Sequence, residues 1–214
     1  MRNPKLDTFL QFYYKGFDGK KAWSNRPPFY NGHPNAINLE ESTNNLIDSL
    51  DVFIDLNIKY TLVLGTLLGI YRDGDLIKHD TDTDIAVWLD NEESMIQATL
   101  NLESKGFLLT RFTEKIITFL RGENGDYIDF YLYKDEGAGS GLLTAFEEYG
   151  TLEKSDFSEA LIEWKGHRFS CVENPEEYFN KIYGTGWREP VINLHADINN
   201  DSCTFEQIKE RYNG

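Results

Sequence analysis

Cysteine is scarce in this chain of 214 residues, which contains only Cys171 and Cys203. These two residues form no Cys-x-x-Cys motif and no Cys/His cluster, so a structural zinc site is not expected. Unpaired thiols are typical of a reducing compartment. The cysteine content therefore predicts a cytoplasmic protein with reduced cysteines.

Long apolar runs are also missing. No stretch reaches the roughly 18 apolar residues that a membrane-spanning helix needs. The opening residues, MRNPKLDTFLQFYYKGF, contain no apolar core of the kind found in signal peptides. We therefore expect no integral membrane segment and no export.

Positive charge is in short supply. The chain has 21 lysines and arginines against 36 aspartates and glutamates, a net charge of −15 at pH 7. Such a chain has no general attraction for nucleic acid or anionic membrane, so no nucleic-acid partner is expected. An anionic substrate would have to be held by a few local cations or by a bound metal ion.

The apolar content, 40% hydrophobic and 14% aromatic, is enough for one core. A capping box at Asn38 and Glu41 predicts a helix over 38–57. Asn174 followed by Pro175 predicts a second helix, which ends at Gly184. The other predicted elements are a strand over 59–66, a short helix or turn after it, a strand over 83–90, a helix from Asn91 to Lys105, strands over 107–112, 115–122 and 127–133, a hairpin turn at Asn124-Gly125, and partly helical structure over 137–165.

This order of elements predicts an α+β (mixed α/β) fold, with a small mixed sheet flanked by helices. We expect one catalytic domain over residues 38–190. An irregular N-terminal arm (1–37) precedes it, and a C-terminal tail (191–214) follows.

Asp80, Asp82 and Asp84 alternate with threonines in the segment HDTDTDIAVWLD. Alternate residues of a strand share a face, so Asp82 and Asp84 should point the same way. Asp129, in the later strand YIDFYLY, would join them if the two strands are neighbours. Three such carboxylates can hold the two divalent ions used in phosphoryl and nucleotidyl transfer. Oxygen ligands without His or Cys favour Mg²⁺ or Mn²⁺.

A candidate phosphate site precedes the aspartates. Gly65 and Thr66 stand where the predicted strand ends, and a helix beginning there would offer free backbone N–H groups. Arg72 is a cation that could reach the same phosphates, and His79 adjoins the aspartates as a candidate substrate contact. Each feature alone also has an ordinary explanation, as a turn or a solvated surface residue.

A calcium loop starting at Asp80 is not supported. An EF-hand needs Gly at its sixth position and Glu at its twelfth. Here those positions hold Ile85 and Asn91.

Two motifs together indicate a family. The first consists of Gly65-Thr66-Leu67-Leu68-Gly69, Arg72, Gly74, Ile77, Asp80, Asp82 and Asp84. The second is NPEEYFNKIYGTGWREP, residues 174–190. In this order they resemble the LicD family and its fukutin-related relatives in the nucleotidyltransferase superfamily, over about residues 38–190. One departure is Thr81, which stands where the family pattern has a further aspartate; it would point away from the face of Asp82 and Asp84.

The resemblance implies transfer of a phospho-alcohol, such as phosphocholine, ribitol phosphate or glycerol phosphate. The donor would be CDP-activated, the acceptor a hydroxyl of a cell-surface glycan or glycolipid (capsule or teichoic acid), and CMP would be released. By the same resemblance, Asp82, Asp84 and Asp129 would hold the metal, with Asp129 or Asp80 as the base. Trp187 and Arg188 would close over the donor, although Trp187 could equally belong to the core.

Two other functions fit the same residues. One is a nucleotidyltransferase that moves a nucleoside monophosphate from an NTP to a small molecule or protein. The other is an inactive fold that serves as a binding module, against which the clustered carboxylates argue. The residues leave open which alcohol is transferred and whether the chain forms oligomers.

Overall fold

The computed structural model describes residues 23–24, 37–89, 92–113, 115–121, 126–135, 142–144, 151–157 and 160–190. Its elements in chain order are β1 (Trp23–Ser24), α1 (Leu39–Asp55), β2 (Tyr60–Leu62), α2 (Leu64–Asp73), β3 (Asp82–Trp88), α3 (Glu92–Ser104), β4 (Leu108–Phe112), β5 (Ile116–Arg121), β6 (Asp126–Asp135), β7 (Leu142–Thr144), β8 (Thr151–Glu153), a short 3-10 helix (Lys154–Phe157), β9 (Leu161–Trp164), β10 (His167–Ser170) and α4 (Pro175–Tyr183).

A mixed sheet organises the described part of the chain. Its strands follow the order β1-β4-β5-β6-β3-β2, with β7 beside β6 and β8 beside β7. Within it β3 and β6 are parallel, whereas the other pairs are antiparallel. Strands β9 and β10 form a separate hairpin. The predicted α+β fold with a mixed sheet flanked by helices is confirmed.

Helix α1 covers one face of the central strands. Phe53 of α1 stacks on Phe130 of β6, with ring centroids 4.8 Å apart. Ile85 and Val87 of β3 are fully buried. Each such side chain contributes about 1.5–3 kcal/mol when removed from water. This face is the core, so the alternate residues of β3 and β6 face the other way.

Two predicted helices are confirmed together with their caps. The Asn38 side chain accepts hydrogen bonds from the N–H groups of Glu40 and Glu41 at the start of α1. Asn174 accepts one from the N–H of Glu177 at the start of α4. Both helices begin where their capping residues predict.

The strand predicted over 59–66 is wrong at its end, because β2 stops at Leu62 and α2 begins at Leu64. Leu64 has a φ of 48°, which turns the chain directly after the strand. Gly65 and Thr66 therefore lie in the first turn of α2. The apolar run LVL gave no local sign of this turn.

Of the partly helical structure expected over 137–165, the described residues contain one short 3-10 helix. They form β7, β8 and β9, with only a single 3-10 turn over Lys154–Phe157. The Asn124-Gly125 turn, the Asn91 cap, most of the N-terminal arm and the 191–214 tail lie outside the described residues. No described helix has both the length and the apolar character needed to cross a membrane.

Candidate active site

The parallel pair β3–β6 brings two of the predicted carboxylates together. Asp84 lies directly opposite Asp129 in the register, and Asp82 lies opposite Tyr127. Neighbouring strands are about 4.8 Å apart, so the backbones of Asp84 and Asp129 are adjacent. The two strands are thus neighbours, which is the condition under which Asp129 joins the aspartates of β3, and Asp82 is at the first position of β3.

Asp84 is held at the first turn of α2. The carboxylate accepts hydrogen bonds from the Tyr131 hydroxyl, 3.2 Å away at Oδ1, and from the backbone N–H of Gly65. The N–H of Asp84 donates to Thr66 Oγ1 at 2.7 Å. A helix N-terminus favours an anion. Here that anion is the protein's own carboxylate, which differs from the phosphate cradle that the sequence suggests for Gly65 and Thr66.

Asp80 reaches the same place from the segment before β3. Its Oδ1 accepts a hydrogen bond from the N–H of Thr81 at 2.9 Å. A Cβ at position 65 would overlap Asp80 Oδ2 and would lie 3.6 Å from Asp84 Oδ2. Only glycine leaves room at position 65 for the two carboxylates to converge.

The electrostatics of Asp84 would suit a bound cation. Burial raises the pKa of Asp84 well above its usual range, and the charges of Asp80 and Asp129 raise it further. The hydrogen bonds from Tyr131 and Gly65 oppose this rise. Buried carboxylates that repel one another are stabilised by a cation, and their oxygens suit Mg²⁺ or Mn²⁺.

The described residues do not form a closed metal cage. Among them, no three Asp, Glu, His or Cys side chains stand close enough together to hold an ion by themselves. Mg²⁺ in phosphoryl-transfer sites is commonly bound by one or two carboxylates, with water and substrate phosphates completing its shell. The residues present fit a site of that kind.

Asp129 has a different environment, which the sequence reasoning missed. Its Oδ2 accepts from Arg111 Nη2 at 2.8 Å, and its Oδ1 accepts from the Thr118 hydroxyl. Arg111 Nε also donates to Thr118 Oγ1 at 2.8 Å. An arginine within the apolar strand LLTRF is the one sequence signal for this ion pair. A metal ion bound by Asp129, as the sequence predicts, would share the carboxylate with Arg111.

Arg72 lies in the last turn of α2, whereas Gly65 lies in the first, about 10 Å away along the helix axis. Its Nε and Nη2 donate to the Asp73 carboxylate at 2.8 and 2.7 Å, and its Nη1 donates to the Trp187 carbonyl at 3.1 Å. Three of the five guanidinium N–H groups are thus engaged. The structure does not place Arg72 and Gly65 in one phosphate cradle.

His79 lies in the range of the Arg72 charge. Burial lowers its pKa, and the Arg72 guanidinium lowers it further, while Asp73 acts in the opposite direction. His79 is half-buried one position before Asp80. His79 remains a candidate substrate contact.

Trp187 is 5% exposed, so its ring belongs to the core rather than to an open surface. It packs against Phe179 and Tyr71, with centroids 4.9 and 6.0 Å away, and its Nε1 donates to Asn180 Oδ1 at 3.2 Å. The structure therefore favours the packing role of Trp187 over stacking on a donor.

Arg188 is the exposed member of this C-terminal pair. Its guanidinium lies over the Trp187 ring, 4.2 Å from the centroid, and Nη2 pairs with Glu176 at 2.8 Å. The guanidinium remains half-exposed. Donor binding by Arg188 stays a prediction.

Tyr178 of α4 is a second residue that the sequence reasoning missed. Its hydroxyl accepts a hydrogen bond from the N–H of Leu64 at 3.2 Å, and its side chain is buried. Burial raises the pKa of Tyr178 well above its usual range, followed by smaller effects that include the Asp84 charge. Tyr178 thus lies close to the site, although it is 94 residues from Asp84 in the sequence.

Comparisons with known proteins place this site in a family. A family model described as LicD/FKTN/FKRP, nucleotidyltransferase domain, matches residues 57–182. A comparison with curated proteins finds no match.

Two solved structures of the antibiotic-resistance factor ANT(2'')-Ia resemble the fold. A solution structure shares 12% identity, with a TM-score of 0.48, and the match covers 71% of this chain and 84% of that one. A crystal structure with adenylyl-2''-tobramycin shares 13% identity, with a TM-score of 0.45, covering 69% and 81%. The family match spans more than half of the chain, so this protein belongs to the LicD/FKTN/FKRP family, and its nucleotidyltransferase domain indicates a transferase.

Proposed function

We propose that the protein transfers a phospho-alcohol from a CDP-activated donor to a hydroxyl of a glycan or glycolipid, with release of CMP. The observation that carries this proposal is the buried Asp84 carboxylate, which meets Asp80 at the N-terminus of α2 with Asp129 on the adjacent strand. This carboxylate group suits a divalent cation and an anionic substrate bound to it. Family membership supplies the class of reaction.

Asp82 and Asp84 are the proposed ligands of Mg²⁺ or Mn²⁺, with Asp129 beside them. When bound, the ion would neutralise the diphosphate and activate the acceptor hydroxyl. Tyr131 and Gly65 hold the Asp84 carboxylate in one orientation. Such fixed ligands make the site ready for substrate without reorganisation.

Asp80 is the proposed base. It is half-buried beside Asp84 and so more accessible to an acceptor than Asp129, which is 2% exposed. The acceptor oxygen would form a bond to the phosphorus that carries the alcohol, and its proton would pass to Asp80. The bond from that phosphorus to the CMP oxygen would break, and CMP would leave.

Substrate contacts would come from the rim of this site. His79 lies one residue from Asp80, and Arg72 retains two N–H groups for a phosphate or the acceptor. Arg188 is a further cation in this group, and it is half-exposed, whereas Arg72 is largely buried. We also propose a cytoplasmic location, which the cysteine content predicts.

The second candidate is nucleotidyl transfer from an NTP, which the description of the matched domain favours. The same aspartates would serve both reactions, because each requires metal-assisted attack on a phosphorus atom. The two differ in the leaving group. A CDP donor yields CMP, whereas an NTP yields pyrophosphate.

A donor panel decides between these reactions. CDP-alcohols and NTPs would be incubated with Mg²⁺ and glycan acceptors, and phosphorus NMR would follow CMP and pyrophosphate. We expect CMP from one CDP-alcohol, with Asp82→Ala and Asp84→Ala each reducing the rate at least about 100-fold. Asp55→Ala removes an exposed carboxylate of α1 and should leave the rate unchanged.

Pyrophosphate release from an NTP would instead establish the second candidate. Absence of turnover, together with no Mg²⁺-dependent binding of CDP or NTP by calorimetry, would overturn both reactions and leave a binding module.

A further inference from the structure

We propose that Tyr178 is a positioning residue for Asp84 and acts through the turn formed by Leu64, Gly65 and Thr66. The part of this inference that concerns metal binding rests on the proposed function. The positioning itself is a property of the folded chain and can be measured without metal or substrate.

The turn has an unusual backbone at its first residue. Leu64 has a φ of 48°, in the left-handed region that residues with a Cβ rarely adopt. Its N–H is buried with the chain around it and needs an acceptor. The Tyr178 hydroxyl is that acceptor, at 3.2 Å, so Tyr178 stabilises a conformation that the local sequence disfavours.

The two residues after Leu64 hold Asp84 from both sides. The N–H of Gly65 donates to the Asp84 carboxylate, and Thr66 Oγ1 accepts from the Asp84 N–H at 2.7 Å. A shift of the turn would move both contacts at once. The direction of the Asp84 carboxylate therefore depends on where the turn is held.

Helix α4 is held next to this turn by hydrogen bonds, so the position of Tyr178 is well defined. Cys171, just before the helix, forms a parallel bridge with Leu62 at the end of β2. The N–H of Cys171 donates to the carbonyl of Ala160 at 3.0 Å. The Asn174 cap then fixes the first turn of α4, from which Tyr178 projects. The support thus reaches the turn from a separate, well-bonded part of the fold.

Tyr178→Phe tests the role, because it keeps the ring and removes only the hydroxyl. Tyr60→Phe is the matched control. Tyr60 is also buried, and its hydroxyl is also hydrogen-bonded to backbone, at Ser170. It pairs with Val87 on β3, three residues beyond Asp84, which is about 10 Å along the strand. Both variants lose one buried hydrogen bond, but only Tyr178→Phe loses it at the turn.

The first readout is amide hydrogen exchange in the metal-free protein. Tyr178→Phe should speed exchange at Leu64 and at Gly65 about tenfold relative to wild type, whereas Tyr60→Phe should change neither. Faster exchange at Leu64 alone would overturn the proposal, since it would show that the turn does not transmit the loss to Gly65. Unchanged exchange at both amides would overturn it as well.

The second readout is the affinity for Mg²⁺ alone, measured by calorimetry. Loss of an outer hydrogen-bond partner typically weakens metal binding 10–100-fold, and we expect about tenfold in Tyr178→Phe and none in Tyr60→Phe. Equal affinities in the two variants would contradict the proposal. If wild-type protein binds no Mg²⁺, the metal site of the proposed function fails, whereas exchange at Gly65 still decides the positioning role.

Discussion

At the scale of single residues, two buried aspartates on adjacent strands differ in how their charge is balanced. Asp129 is paired with Arg111 and hydrogen-bonded to Thr118. Asp84 has no Lys or Arg partner among the described residues, and its carboxylate lies near those of Asp80 and Asp129. A buried charge without a counter-ion destabilises a fold. Asp84 is therefore the residue where function and stability oppose each other.

Replacing Asp84 by Asn should raise stability and abolish activity. A raised pKa means that the folded state favours the neutral acid, so the ionised carboxylate lowers the free energy of unfolding at neutral pH. Asn removes that charge and keeps an acceptor for Gly65. In EDTA we expect a gain of about 1–3 kcal/mol, or roughly 2–4 °C of Tm per kcal/mol, by calorimetry.

Asp129→Asn is the control for this prediction and should change stability in the opposite direction. It leaves Arg111, which is largely buried, without its partner. Breaking a buried ion pair costs about 3–5 kcal/mol. A lower Tm for Asp84→Asn would show that repulsion between the carboxylates is not the dominant effect.

At the scale of elements, helix α2 connects the site to the C-terminal segment. Its first turn binds Asp84, and Arg72 in its last turn binds the Trp187 carbonyl. Two glycines of α2, Gly65 and Gly69, let other parts of the chain pack directly against the helix backbone. A Cβ at Gly65 would meet the Asp80 carboxylate, whereas one at Gly69 would meet the backbone oxygen of Asp75 at 2.7 Å.

The two glycines should therefore respond differently to alanine. Gly65→Ala would displace the Asp80 side chain, which can change its rotamer. Ala is also favoured over Gly in a helix by about 1 kcal/mol, so the free energy of unfolding should change little. Asp80 would leave Asp84, and activity should fall at least about tenfold. In Gly69→Ala the added methyl group would clash with the backbone oxygen of Asp75, which cannot move as easily as a side chain. This variant should therefore lower the free energy of unfolding by about 1–3 kcal/mol.

Urea unfolding and turnover with the donor found in the panel would check both variants. A Gly65→Ala protein with wild-type activity would contradict the view that convergence of Asp80 and Asp84 matters for the reaction.

At the scale of the whole molecule, the C-terminal segment completes the core beyond the family match. The match ends at residue 182, yet Trp187 packs against Phe179 of α4 and Tyr71 of α2. Trp187 thus joins the two helices that border the site. Its burial makes it a structural residue of the complete fold.

Trp187→Ala should therefore act on stability. Truncating a buried Trp costs about 3–5 kcal/mol through lost burial and a cavity. Trp187→Phe should recover much of this, and KM for the donor should stay near the wild-type value. Thermal unfolding and steady-state kinetics would measure the two effects. A large rise in KM with little change in Tm would instead show that Trp187 contacts the donor.

Local patterns in the sequence predict helices α1, α3 and α4, the central strands and the acidic motif. Asn38 and Asn174 predict the starts of α1 and α4, because a capping residue and the helical turn that it caps lie within a few residues of each other in the sequence. The alternation around Asp82 and Asp84 identifies a strand for the same reason, since its period is local. The family resemblance depends on these local signals, and the family match confirms it.

Which groups surround the carboxylates depends on the tertiary structure. Arg111 is 18 residues from Asp129, and Tyr178 is 114 residues from Leu64. Both contacts depend on which strands and helices become neighbours, which no local pattern encodes. The start of α2 at Leu64 is not predictable from the local sequence, because the Tyr178 hydroxyl stabilises a backbone conformation that leucine itself disfavours.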